Sequence, residues 1–132
     1  MLDQNRYLGR DLGLNGEYIF RRLPADSCYV VSVEKDSTAL NGITAMDLAL
    51  IRRHILNLGF IRGPLQIIAG DVNNNEAIST TDIAILRSLI LGITDEFEFV
   101  PSWRFVPEAH EFLNPQNPFE HPIPYADTVC LD

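Results

Sequence analysis

The chain has 132 residues, 46% of them hydrophobic, with ten basic against eighteen acidic side chains and a net charge of −8. That is enough for one domain and a short appendage, and too apolar for a wholly disordered chain. The acidity excludes nucleic acid and anionic membrane as partners, since both need clustered Lys and Arg, and no apolar run approaches the roughly 18 residues of a membrane span.

From the N-terminus, MLDQNRYLGRDLG lacks the basic-then-apolar order of a secretory signal, so an exported form is expected to begin further upstream. Residues 17–33, EYIFRRLPADSCYVVSV, predict two strands joined by a turn at Leu23–Asp26: Tyr18 and Phe20 alternate with other residues, and Tyr29–Val33 is β-branched and aromatic. A lone hairpin is marginal in water and must pack on something else, so residues 1–34 are read as a partial β segment. Cys28 and Cys130 are too few for a metal knuckle or a disulfide framework. A single bridge is open to them, and two separate thiols are the expectation.

The middle of the chain, residues 35–95, contains an internal repeat. Asp47-Leu-Ala-Leu-Ile-Arg-Arg-His-Ile-Leu-Asn-Leu58 aligns with Asp82-Ile-Ala-Ile-Leu-Arg-Ser-Leu-Ile-Leu-Gly-Ile93 at an offset of 35, with five identities and four Leu/Ile exchanges in twelve positions. The same offset pairs Asp36 with Asp71, Ile43 with Ile78 and Thr44 with Ser79. Each unit is a polar loop followed by a helix. Apolar stripes at Leu48, Ile51, Ile55 and Leu58, and at Ile83, Leu86, Ile90 and Ile93, predict two helices that face each other. Gly59 and Gly92 are the expected helix stops, and Gly63-Pro64 the turn between the units.

The loop Asp71–Asp82 places oxygen-bearing side chains at positions 1, 3, 5, 9 and 12. A calcium ion takes six to eight oxygens, and a twelve-residue loop wraps it by alternating inward side chains with one backbone carbonyl at position 7. The candidate ligands are Asp71, Asn73, Asn75, Ala77 through its carbonyl, Ser79 directly or through water, and Asp82. Ile78 then points into the core and forms a short β-contact with Ile43. Position 6, where the backbone takes positive φ, is Glu76 rather than glycine, a cost on the order of 1 kcal/mol. The loop Asp36–Asp47 keeps both end carboxylates but has Leu40 at position 5, which cannot ligate through its side chain. Its candidate ligands are Asp36, Thr38, Asn41, Gly42, Thr44 and Asp47, and an empty, hydrogen-bonded loop competes with a second ion.

Residues 96–132 carry six of the eight prolines together with Trp103, Phe105, Phe112, Phe119 and Tyr125. Prolines at that density disfavour helix and central strand, so this tail is expected to be extended, with Trp103 and Phe105 as anchors on a folded surface. From residue 89 onward the chain holds −7 of the −8 charge, with Arg104 as the one base.

A twelve-residue calcium loop followed by one helix, present twice and without the leading helix of an EF-hand, resembles a dockerin domain over about residues 34–94. The segment Gly16–Pro24 with Tyr29-Val-Val resembles the closing strands of carboxypeptidase-regulatory-like or B-repeat sandwiches, as in Bacteroidetes-type surface proteins. The dockerin resemblance implies a mainly α fold with a small β part: two antiparallel calcium loop-helix units, an N-terminal hairpin and an extended tail. It also implies a cohesin-type partner and an extracellular or cell-surface location. Matching the family's contact positions gives Ala45, Met46, Arg52 and Arg53 in unit one, and Thr80, Thr81, Arg87 and Ser88 in unit two.

His54, His110 and His121 share no catalytic or zinc spacing, and there is no P-loop, G-x-S-x-G or G-x-G-x-x-G, so no enzyme is expected. The leading reading is a calcium-stabilised, non-catalytic interaction module. The alternatives are a subunit of a surface assembly or filament that self-associates by strand addition, and a targeting appendage of a polysaccharide-degrading enzyme.

Overall fold

The computed structural model describes residues 10–11, 15–35 and 38–132. Its elements are β1 (Arg10–Asp11), β2 (Tyr18–Ile19), β3 (Ser27–Ser32), α1 (Ala45–Ile55), α2 (Pro64–Gly70), α3 (Thr80–Ile90), a 3₁₀ turn at Pro118–Glu120 and β4 (Ala126–Leu131). Two compact units result, one of Val31–Asp127 and one of the residues up to Val30 with Thr128–Asp132.

The strands form two separate two-stranded sheets. β1 pairs antiparallel with β2, Arg10 opposite Ile19 and Asp11 opposite Tyr18, while β3 pairs with β4. The two strands expected within 17–33 are therefore present but do not form a hairpin with each other. β4 lies past Pro124, the last proline, where the backbone regains the amide donors a strand needs. The cysteines are bridged, Cys28 of β3 to Cys130 of β4, which corrects the expectation of two free thiols. Strand pairing brings together residues 102 apart in sequence, a proximity that spacing alone does not reveal.

In the larger unit, α1 and α3 pack against each other. Each starts with a capping box, Thr44 with Asp47 and Ser79 with Asp82, satisfying otherwise orphaned first-turn amides. α3 ends as expected at Gly92, whose φ of 67° places it left-handed while Gly92 N–H and Ile93 N–H donate to Leu89 and Ser88 carbonyls. α1 stops earlier than Gly59. Asn57, at φ 56°, takes the left-handed position, and Asn57 and Leu58 amides donate to His54 and Arg53 carbonyls. Leu58 and Ile93 thus fall beyond their helices and are 68% and 71% exposed, so the buried stripes are shorter than the repeat suggests.

Gly63-Pro64 opens a helix instead of a simple turn. Gly63 is the N-cap and Pro64 the first helical residue of α2, where proline's missing N–H costs nothing, and Ile67 and Ile68 are buried. The core cluster takes Ile51 from α1, Val72 from the following loop, Leu86 from α3 and Val100 from the proline-rich segment, with Ile43, Leu48, Ile78 and Phe97 packed around it. That segment is not uniformly extended. Pro118 is buried in the 3₁₀ turn, which packs on α2, and Trp103 stacks on Phe105 with ring centroids 6.4 Å apart while Lys35 Nζ lies 3.9 Å from the Trp103 centroid.

Candidate metal centre

Loop 71–82 runs from the C-cap of α2 to the third residue of α3, so two helix ends hold its terminal carboxylates. Asp71 and Asp82 are the two buried charged residues among those described, each 0% exposed. Asp71 accepts from the amides of Asn75 at 3.1 Å and Glu76 at 3.0 Å through different oxygens. Asp82 accepts from Val72 N–H at 3.0 Å and Asn73 N–H at 3.3 Å on one oxygen, and from Ser79 N–H at 2.8 Å and Ser79 Oγ at 3.0 Å on the other. The amide oxygens continue the winding, Asn73 Oδ1 accepting from Asn75 N–H and Asn75 Oδ1 from Ala77 N–H, both at 3.2 Å. The loop's backbone is thus folded around its own oxygens.

Burying a carboxylate is costly unless it is paired, and the donors to Asp71 and Asp82 are backbone amides and one hydroxyl. Among the described residues no Lys, Arg or His side chain pairs with either carboxylate; the nearest guanidinium contact, from Arg104, is to the Asp71 backbone carbonyl. Two carboxylates with amide, hydroxyl and carbonyl oxygens form an all-oxygen donor set, which suits a hard divalent cation of calcium's size. Among the described residues no group of three or more His, Cys, Asp or Glu is arranged to hold a metal, so any ion here would draw most of its ligands from amide, hydroxyl and carbonyl oxygens. The backbone takes positive φ at Glu76, 63°, as expected at position 6, and also at Asn74, 58°. Glu76 occupies the left-handed region despite its side chain.

Loop 36–47 is described from Thr38 onward. Asp36 lies outside the described residues. From Thr38 onward the loop contains two backbone turns, Asn41 N–H to Thr38 carbonyl at 3.0 Å and Ile43 N–H to Leu40 carbonyl at 3.1 Å. Asp47 is half-buried and, among the described residues, accepts within its own capping box, from Thr44 N–H at 2.7 Å and Thr44 Oγ1 at 3.0 Å. Leu40 is 45% exposed, and Asn41 and Gly42, the latter at φ 83°, face solvent. The expected β-contact between Ile43 and Ile78 is absent among the described residues; both side chains pack on the core cluster instead.

Residues 36–91, a little under half of the chain, match the family of dockerin type I domains. This segment is a dockerin-like domain. Dockerin domains are non-catalytic protein–protein interaction modules of extracellular or cell-surface proteins that bind calcium in EF-hand-like loops and typically take cohesin modules as partners. No curated protein and no solved structure matches the chain. Among the described residues no helix is long and apolar enough to cross a membrane.

The positions expected from the resemblance to meet a partner lie on the helix surfaces. Ala45, Met46, Arg52, Thr80, Thr81 and Arg87 are exposed and Ser88 is half-buried. Arg53, also exposed, is engaged internally: its guanidinium donates to the Leu58 carbonyl at 3.4 Å and covers Gly59, closing the end of α1. His54 is likewise structural, its Nδ1 accepting the Ile61 amide at 3.2 Å. A mostly apolar cleft of about 830 Å³ lies between α1, α2 and residues 97–106, lined by Leu50, Phe60, Leu65 and Trp103. None of the candidate ligands of loop 71–82 lines it.

Proposed function

We propose that the chain is a calcium-stabilised, non-catalytic docking module of an extracellular protein that recognises a cohesin-type domain. In this reading the interaction module occupies residues 35–95, between the β segment 1–34 and the acidic segment 96–132. One ion is held in loop 71–82 by Asp71, Asn73, Asn75, the Ala77 carbonyl, Ser79 and Asp82. The observation that carries the reading is the burial of Asp71 and Asp82 inside a loop whose backbone is wound on its own oxygens. When bound, calcium supplies the positive charge these carboxylates lack. The chain's own residues fix the loop against α2 and α3 and so orient the exposed helix surfaces. Loop 36–47 is the weaker second site, with Asp36, Thr38, Asn41, Gly42, Thr44 and Asp47 as its donors.

The partner surface is proposed to comprise Ala45, Met46 and Arg52 on α1, and Thr80, Thr81, Arg87 and Ser88 on α3, with Arg53 contributing from the end of α1. The disulfide between Cys28 and Cys130 supports the extracellular location, because such bonds persist in oxidising compartments. Immobilised full-length chain is probed with a panel of cohesin modules in calcium and in chelator. Calcium-dependent capture that Arg52→Ala together with Arg87→Ala weakens about tenfold or more supports the reading. No calcium-dependent binding to any member, or binding indifferent to both arginines, contradicts it.

A further inference from the structure

We infer that Arg104, outside the segment that matches the dockerin family, is a positioning residue of the calcium loop; this rests on the proposed occupancy of loop 71–82. Arg104 Nη2 donates to the Asp71 backbone carbonyl at 2.5 Å across 33 residues of chain, in a partly buried contact. Asp71 is the C-cap of α2 as well as the first residue of the loop. α2 has no basic residue in its own last turn, so its negative end is met by a guanidinium supplied from elsewhere in the chain.

The same segment holds the loop a second time, at the next residue. Val72 and Val100 are buried in one cluster, 3% and 8% exposed, so an apolar and a polar anchor from residues 100–104 fix Asp71 and Val72 together. With its backbone fixed at the carbonyl, Asp71 is held where its two oxygens accept the Asn75 and Glu76 amides. Asp82 depends on a different set of donors, Val72, Asn73 and Ser79. Because the Asp71 carbonyl and the Val72 N–H belong to one peptide unit, Arg104 bears directly on Asp71 and, through Val72, on one oxygen of Asp82. The Ser79 bond to the other oxygen lies within the capping box of α3. Partners of ligating groups that fix their orientation are worth about 10- to 100-fold in metal affinity.

The experiment titrates the full-length native, Arg104→Ala and Arg104→Lys chains with calcium by calorimetry and follows amide hydrogen exchange by NMR in saturating calcium. Arg104→Ala is expected to raise the calcium Kd about tenfold, with Arg104→Lys recovering part of the loss. Exchange is expected to accelerate at Asn75 and Glu76, whose amides Asp71 holds, and to stay unchanged at Ser79, whose amide Asp82 holds. A native Kd in Arg104→Ala overturns the inference, as does equal acceleration at all three amides, which marks general loosening. If the native chain takes no calcium, the reading of the loop fails together with the inference. Native binding with an indifferent Arg104 removes the inference alone.

Discussion

Asp82 and Asp47 occupy equivalent positions in the repeat, yet their surroundings differ. Asp82 is fully buried and receives donors from both ends of its loop, whereas Asp47 is half-buried and, among the described residues, is the partner of Thr44. Asp82→Asn places an amide against donors that need an acceptor, and is expected to cost about 1.5–3 kcal/mol, the range for hydrogen bonds to a charged group. Asp47→Asn is expected to cost about 1 kcal/mol, the value of a helix cap. Urea unfolding of both variants in calcium checks the difference; equal losses would contradict the contrast drawn between the loops. The positive φ of Glu76 was legible in the sequence, because the spacing of oxygens about it demands that backbone whichever residue stands there. The role of Arg104 was not, since a backbone carbonyl leaves no trace in side-chain spacing. The available signal was its solitude among the acids of residues 89–132.

Among the elements, the two long helices and their facing stripes follow from period and capping, and Ile51 and Leu86 are buried where the stripes place them. α2 was hidden because Gly63-Pro64 reads equally as a turn and as a helix start; Leu65, Ile67 and Ile68 just after it favour the second. The partner of β3 was illegible, because pairing with a strand as distant in sequence as Ala126–Leu131 leaves no local pattern, and the partner of β2, Arg10–Asp11, is too short and polar to read as a strand. Trp103 and Phe105 are the conspicuous side chains of the proline-rich segment, but Val100 is the one buried in the core cluster. Val100→Ala is expected to lower stability by about 2 kcal/mol, the scale of a buried Val side chain. Phe99→Ala, at a position 55% exposed, is expected to change it by less than about 0.5 kcal/mol. Chemical denaturation of both variants decides whether this segment belongs to the folding unit: an unaffected Val100→Ala would show that it does not.

For the whole molecule, a net charge of −8 first suggests loops crowded with carboxylates. The charge instead lies largely beyond residue 88, and the candidate metal loop relies on two buried aspartates with neutral oxygens between them. The bridge between Cys28 and Cys130 ties strands 102 residues apart, while the helical unit has its own core. Reduction is expected to cost about 2–4 kcal/mol by releasing the unfolded chain from that constraint. It should also leave the helical circular dichroism at 222 nm intact in calcium; loss of helix on reduction would contradict the independence of that core. Calcium removal should act on the other part of the molecule. If ion binding free energy is folding free energy for the loop and its flanking helices, stability must rise with free calcium. The decisive measurement is thermal melting of the full-length oxidised chain at 222 nm across a calcium titration, with chelator as the zero point. The account predicts a melting temperature that climbs with calcium and falls, together with the helical signal, on chelation; a melting curve indifferent to both would contradict it.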